Sequence, residues 1–415
     1  MIMAMIRPET EMKDSGVKYI GLIPRTWKIV QLKYCTDCLD GKRIPIDASL
    51  RKSGIYPYWG AGKIMDYVDD YIFDERLVLL GEDGAPFFDD FRPVSHLIDG
   101  KVWVNNHIHV LRTKDNVVDS YLVHALNSVD YHEYINGSIL NKLTQSNMNR
   151  IKIPLPSYRE QQAIADYLDE TCSKIDEIIA EAKASIDEYK ELKQSVIFEA
   201  VTKGLDKNVE MKQCSVNWLD EIPSTWESIR LKYLLTEINN RSETGTEQPL
   251  SVSQVMGVVP SYMIAVANPT ASYVGQKIVE PNDIVFNKLK AHLGVFFMSK
   301  YHGLVSPDYA VYRTNDKVIP KYLEYLFHTS ACISEFKKYI SGVAEGLMRL
   351  YTSDLFNIRI CLPKVDEQIK IVEYVENKVE LFDSLIAEKE SLINDLEAYK
   401  KSLIYEVVTG KRRVV

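Results

Sequence analysis

Two long acidic segments constrain this chain more than any other feature. One begins "LPSYREQQAIADYLDE" at Leu155, the other "LPKVDEQIKIVEYVEN" at Leu362. Neither contains Gly or Pro between its opening proline (Pro156, Pro363) and its closing glycine (Gly204, Gly410). Glu, Lys, Leu and Ala dominate both, and these residues favour helix. Apolar residues in the first fall at Ile164, Leu168, Ile175, Ile178, Ala182, Ile186, Tyr189, Val196 and Ala200. In the second they fall at Val375, Val379, Phe382, Ile386, Ile393, Leu396, Leu403 and Val407. Steps of three and four, or their sums, mark one face of a helix. Each segment therefore predicts a helix of roughly 45 residues, about 67 Å long. Alone, such a helix would expose its stripe. Two copies bury it against each other, so an antiparallel coiled coil is expected. The other reading docks each helix on a separate globular core.

The segments also match in sequence. At an offset of 207, Glu160-Gln161, Tyr167, Asp176, Ile179-Ala180, Lys193, Ser195, Ile197, Glu199 and Val201-Thr202 meet identical partners. A second repeat lies near the start of each block. "VKYIGLIPRTWKIVQLKY" from Val17 returns as "VNWLDEIPSTWESIRLKY" from Val216, with 8 of 18 positions identical. The chain is a tandem duplication. It divides into a variable block (1–154), a long helix (155–204), a second block (205–361) and a second helix (362–415). At 415 residues with 46% apolar content it is long enough for several ordinary cores. In the first block, "GIYPYWGAGKIMDYVDDYIF", "RLVLLGEDGAPFF" and "KVWVNNHIHVLRT" read as strands. In the second, "QPLSVSQVMGVV", "NDIVFNKLKAHLGVFFMS" and "LVSPDYAVYRT" do the same. Helical pieces follow in "DSYLVHALNSVDYHEYI" and "PKYLEYLFHTSACISEFKKYI". The predicted fold is α+β, with two globular domains joined by two long antiparallel helices under a pseudo-twofold axis.

Net charge is −8, which taken evenly argues against nucleic-acid binding. It is uneven. Residues 159–203 carry −5 and residues 366–409 carry −6, leaving +3 on everything else. No stretch of about 18 apolar residues exists, so no membrane span is predicted. The start has no basic n-region or sustained apolar core, and a cytoplasmic location is expected. The six cysteines do not suggest a disulfide framework. Cys35 and Cys38 form one CxxC, but a zinc site wants a second pair, so no metal is expected.

Catalytic signatures are incomplete. Asn268-Pro269 in "ANPTASY" matches part of the loop with which adenine amino-methyltransferases hold a flipped base, but Ala271 replaces the aromatic. Asp283 and Lys288 lack the second carboxylate of a metal-dependent nuclease, because Phe286 stands there. "GEDG" (Gly81–Gly84) reads as a turn. No GxxxxGK[ST] loop is present, so ATP-driven translocation is not encoded. Polar and aromatic loops remain. "YPYWGAGK" offers Tyr58, Trp59, Gly60, Gly62 and Lys63 to bases and phosphates, or else is a hairpin turn with core aromatics. "WVNNHIH" offers Asn105, Asn106 and His107, since Asn can pair with adenine N6/N7, or is an ordinary strand end. Lys142 and Gln145 lie in "NKLTQSNMNR". The second block offers Gln254 in "SVSQVMG", Asn287, Lys288, Lys290 and His292 in "FNKLKAH", and Arg349 in "AEGLMRLY". A solvated face is the ordinary alternative for such lysines.

The order of these parts resembles the specificity (S) subunit of type I restriction–modification systems. Ile23-Pro24-Arg25-Thr26-Trp27 with Ile222-Pro223-Ser224-Thr225-Trp226, and Leu155-Pro156…Glu160-Gln161-Gln162 with Leu362-Pro363…Glu367-Gln368, carry the likeness. "GEDGAPFF", "WVNNHIHVLRT" and "LVSPDYAVYR" resemble its target-recognition domains. The resemblance implies that each block reads one half of a split, asymmetric site on double-stranded DNA. It also implies that the helices space the domains and dock two methyltransferase (M) subunits, with restriction (R) motor-nuclease subunits joining. S-adenosylmethionine, ATP and Mg are expected on those partners, and no cofactor or catalytic residue on this chain. Half-sites about one DNA turn apart, ~34–36 Å, suit such a protein. Pro24 and Pro223 are expected to fix the chain direction at each domain's opening, with Trp27 and Trp226 packed against helix ends. A self-contained methyltransferase, a stand-alone DNA-binding regulator and a purely structural scaffold are the rival readings.

Overall fold

The computed structural model describes residues 5–89, 91–135, 141–264, 272–341 and 349–414. The two long segments are unbroken helices, Tyr158–Lys203 and Val365–Val408. The chain separates into two units. One comprises residues 1–184 and 389–415, the other residues 185–388. Each therefore contains the start of one long helix, the end of the other and one β-rich block.

In the first unit a four-stranded antiparallel sheet runs Ser95–Ile98, Leu77–Gly81, Ile108–Thr113, Thr36–Cys38. Leu77, Val78, Leu79 and Leu80 are all fully buried, so this central strand is covered on both faces. A second sheet runs Ile64–Val68, Ser53–Trp59, Lys101–Val104, Phe73–Asp74, with Val104 paired in parallel to Trp59. Helix Asp119–Asn127 follows the strands. Here the long-helix portions lie antiparallel, as Asp176 meets Lys400 at 2.6 Å and Lys183 meets Glu397 at 4.0 Å. The buried stripe of the first long helix in this unit is Leu168, Cys172, Ile175, Ile179 and Ala182. Its alternating steps of four and three are those of a coiled-coil seam. Sequence periodicity placed Ile178 on that seam, but Ile178 is 45% exposed and Ile179 takes the inward position. Two adjacent isoleucines made the phase ambiguous, and the regular four-three step through Cys172 selects the second.

The second unit repeats the plan with shorter strands. Its four-stranded sheet runs Leu235–Ile238, Ala310–Thr314, Ile284–Phe286, Phe296–Met298. Hairpin Leu250–Ser253/Gly257–Pro260 and pair Lys277–Val279/Gly303–Val305 complete the strands that bear on the site. The predicted C-terminal helical piece is two helices, Pro320–Phe327 and Ser330–Lys338. Thr329 separates them, its hydroxyl accepting from the Cys332 N–H at 3.3 Å as an N-cap. Phe286, Phe296, Phe327 and Phe336 form one aromatic core.

Each duplicated opening meets both helix ends of its unit. Strand Lys28–Gln31 pairs with Lys152–Leu155, and Glu227–Arg230 pairs with Arg359–Leu362. Trp27 Nε1 donates to Glu160 Oε1 at 3.2 Å, and Trp226 Nε1 donates to Glu367 Oε1 at 3.1 Å. Gln161 is buried. Its carbonyl takes the Val118 N–H, and its amide donates to the Asn116 and Pro156 carbonyls. Gln368 does the same with Ile319, Lys317 and Pro363. Tyr322 donates to the Val201 carbonyl at 2.9 Å, in the last turn of its helix. Tyr121 reaches the equivalent Val408 carbonyl at 3.5 Å. Last-turn carbonyls have no partner within a helix, so these hydroxyls supply one. At the chain ends, Met5–Ile6 pairs with Arg412–Arg413. No helix among the described residues is long and apolar enough to cross a membrane.

Candidate nucleic-acid interface

In the first unit four loops converge beyond the strand ends. The turn after Trp59 is closed by the Gly60 N–H donating to the Lys63 carbonyl at 2.9 Å. Asn105 N–H donates to the Trp59 carbonyl at 3.1 Å, which ties "WVNNH" to "YPYWGAGK". Glu82 and Asp83 N–H groups donate to the His107 carbonyl, and the Leu143 N–H donates to the Glu82 carbonyl at 2.7 Å. Asp83 bridges Lys142 through the backbone. Thus Trp59, Gly60, Lys63, Asn105, His107 and Lys142, spread over more than eighty residues, lie on mutually hydrogen-bonded segments. Gln145 opens the next short helix behind its Thr144 cap, and Gly62 lies in the same tight turn as Lys63.

Exposure sorts these candidates. Lys63, Asn106, His107, Lys142 and Gln145 face solvent. Tyr58 does not. It is 1% exposed, its ring lies under the Arg51 guanidinium, and its hydroxyl accepts from the Ile46 N–H. Strand alternation points Tyr58 inward, so it is a core residue and not a surface reader. Asn105 is 7% exposed, and its carbonyl oxygen accepts the His107 N–H at 2.8 Å. It shapes the turn that presents Asn106 and His107. Gly60 is buried too, and Trp59 is half-buried.

Beneath these loops is a charged network with no local sequence signal. His109 is fully buried, with Nδ1 2.6 Å from Asp40 Oδ2 and Nε2 2.8 Å from the Leu143 carbonyl. Arg43 lies 2.5 Å from Glu82 and 3.4 Å from Asp40. Burial pushes the Asp40 carboxyl up, but His109, the Val110 N–H and Arg43 together hold it below its ordinary range. The ligand atoms of Asp40, Glu82 and His109 all lie within 4.8 Å of one another, close enough for a metal ion. Here the guanidinium already neutralises both carboxylates and both ring nitrogens face oxygens, so the cluster is a strut under Leu143. The Cys35 and Cys38 thiols are both pushed up to about 11 by burial, which suits packing rather than metal binding.

The second unit assembles its candidates differently. Strand Ile284–Phe286 runs into the loop from Asn287 to Leu293. Asn287 Oδ1 accepts the Leu289 and Lys290 N–H groups at 3.1 and 3.2 Å, so its side chain shapes the loop. Gln254 Nε2 donates to the Leu293 carbonyl at 3.3 Å, joining the hairpin to this loop. Leu350 N–H donates to the Lys288 carbonyl at 3.1 Å, which brings Arg349 alongside. Lys288 is mostly covered and pairs with Glu237 at 3.7 Å. Lys290 is exposed, while His292 is half-buried and its Nδ1 has no partner among the described residues. Lys277 is also buried here, its ammonium pushed down by burial and by Lys288, and it donates to the Tyr309 carbonyl. Asp283 is 1% exposed and bound at both oxygens by Arg313, so it is a structural carboxylate. Residues 267–271 of "ANPTASY", with Asn268-Pro269 and Ala271, and residues 344–348 of "AEGLMRLY" lie outside the described residues.

The sequence profile of the type I restriction modification DNA specificity domain matches this chain twice, at residues 24–188 and 223–397. The chain belongs to that family. Each matched stretch opens at the proline of an "IPxxW" motif and runs well into a long helix. Among family relatives, the type I restriction enzyme MjaVIII specificity subunit of Methanocaldococcus jannaschii is 22% identical over 437 residues, covering 100% of this chain and 98% of the relative. Two solved structures share the fold. One comes from work on complex assembly and conformational transition of the type I R-M system (TM-score 0.67, 16% identity, 94% of this chain and 99% of the other). The other is the HsdS subunit from Thermoanaerobacter tengcongensis (TM-score 0.53, 16% identity, 96% and 100%). The specificity family is thus matched in both halves, and the fold, α+β with a long helix pair, is shared with these two structures.

Proposed function

We propose that this chain is the DNA-specificity subunit of a type I restriction–modification enzyme. Each domain reads one half of a bipartite, asymmetric site, and the chain itself performs recognition rather than catalysis. The observation that carries the reading is that two specificity domains share one chain while presenting different loop chemistry. The first offers Lys63, Asn106, His107, Lys142 and Gln145; the second offers Gln254, Lys290 and Arg349. Unlike loops on like scaffolds suit unlike half-sites. Exposed lysines position the phosphate backbone, while amides and other groups at loop tips meet base edges.

Two methyltransferase subunits, carrying S-adenosylmethionine and acting on adenine N6, are the partners expected on the helices, with motor-nuclease subunits supplying ATP-driven restriction. The acidic helices favour protein partners over DNA. Co-expression with the cognate methyltransferase subunit, followed by single-molecule mapping of N6-methyladenine in host DNA, tests this. Two short unlike half-sites at a fixed gap, with one modified adenine on each strand, are expected. A single compact motif, or methylation without a motif, would overturn the proposal.

A further inference from the structure

The turn between strands Leu250–Ser253 and Gly257–Pro260 has an unusual tip. Hairpin tips are ordinarily built from Asn, Asp and Gly. Here the tip is Gln254-Val255-Met256, with Val255 92% exposed and Met256 51% exposed. The turn is preformed, because the Val255 and Met256 N–H groups both donate to Ser253 Oγ, at 3.3 and 3.2 Å. Gln254 fastens it to the Leu293 carbonyl, and Leu293 is itself 48% exposed. Three apolar side chains are therefore held outward on two hydrogen-bonded segments.

The surroundings are basic. Lys290 lies on the Leu293 segment, is exposed, and has no ion-pair partner among the described residues. Arg349 stands beside Lys288 through the Leu350–Lys288 hydrogen bond. An apolar tip beside cations matches a polyanion that also offers apolar groups. In the first domain the hairpin Ser53–Trp59/Ile64–Val68 turns instead through Gly60–Lys63, which holds two glycines and a lysine.

We infer that Val255 and Met256 are specificity-determining residues of the second domain, making apolar contact with thymine 5-methyl groups in the major groove. The inference rests on the DNA-reading function proposed above. Among the bases, thymine alone presents a methyl group in that groove, and a two-stranded β-ribbon fits its width. Lys290 and Arg349 meet the flanking phosphates, and Gln254 is left to hold the tip in place.

The test uses the chain in complex with its methyltransferase subunits and a duplex bearing the mapped site. Thymines are replaced by deoxyuridine, which lacks only the 5-methyl, in one half-site at a time. Affinity is expected to fall about fourfold per contacted methyl removed in one half-site only. The Val255→Ser/Met256→Ser double variant should bind the unmodified duplex more weakly and lose its sensitivity to uracil there. Its melting temperature, matched to the parent, shows that the exposed tip was altered without unfolding the domain. Equal uracil sensitivity in parent and variant, or none in either, overturns the inference. So does a mapped site with no thymine in the affected half, or a variant that weakens binding regardless of uracil, which would mark a wedge between base steps. A complex with no sequence preference defeats the specificity reading itself.

Discussion

The two domain–helix junctions are nearly the same object made twice, while the loop surfaces beyond them share little. Trp27–Glu160 and Trp226–Glu367 differ by 0.1 Å, at 3.2 and 3.1 Å. Gln161 and Gln368 make the same three bonds to equivalent backbone groups. By contrast, the first domain props its loops on the buried Asp40–His109–Arg43 network, and the second pairs Lys288 and Lys277 with Glu237. A helix end must have its backbone groups satisfied, and few side-chain arrangements achieve this. A loop tip carries no such obligation. The duplication stays legible where packing and hydrogen bonding permit one solution, and fades where a different surface serves equally well.

The strongest challenge to this equivalence is truncation of the tryptophans. Trp226 is fully buried and Trp27 is 2% exposed. Trp27→Ala and Trp226→Ala should each cost about 3–5 kcal/mol in the unit concerned, read by urea unfolding. A difference above about 2 kcal/mol between them would show that the junctions are not energetically alike. At a DNA concentration that keeps Trp27→Ala folded, the methylated sequence should be unchanged; an altered motif would mean that the junction takes part in reading.

The closing glycines should separate the two junctions. Both have left-handed backbone, φ +72 at Gly410 and +77 at Gly204, so alanine costs about 1–2 kcal/mol at either. A methyl on Gly410 would lie 2.5 Å from the Pro24 ring and 2.9 Å from Trp27, whereas on Gly204 its nearest contact would be Glu367 Oε1 at 3.0 Å, with Trp226 no closer than 3.4 Å. Gly410→Ala should therefore lose about 2–4 kcal/mol and Gly204→Ala visibly less, measured by thermal melting. Gln161→Ala and Gln368→Ala should lose about 1–3 kcal/mol each by stranding one N–H and two carbonyls, and unequal losses would again break the symmetry. The smallest effect is on binding. Lys290→Ala should lower the slope of log affinity against log salt by about 1 and leave the preferred sequence unchanged.

The helices and their duplication were readable because periodicity and composition are local properties. The register was less so: Ile178 and Ile179 are both apolar, and only the partner helix distinguishes them. Strand existence was legible from short apolar runs, but the grouping of Trp59, Asn105 and Lys142 depends on hydrogen bonds between distant segments. The fate of Tyr58 turned on one step of strand alternation. Asp40, Arg43 and His109 carry no motif, since His109 lies 69 residues from its carboxylate partner. Val255 and Met256 fall in a run that reads both as strand and as a candidate loop, and only the pairing of Ser253 with Gly257 makes them the turn.

The allocation of residues to the two units has a consequence for biosynthesis. Residues 389–415 are translated after residues 185–388, yet they belong to the unit that contains residue 5. Domains usually complete in the order in which they are translated. In this chain residues 185–388 form a contiguous unit that can close while its predecessor still waits for its final helix turns and the strand at Arg412–Arg413. The first recognition domain is therefore finished after the second, and a stop codon between residues 389 and 413 injures the domain encoded earlier.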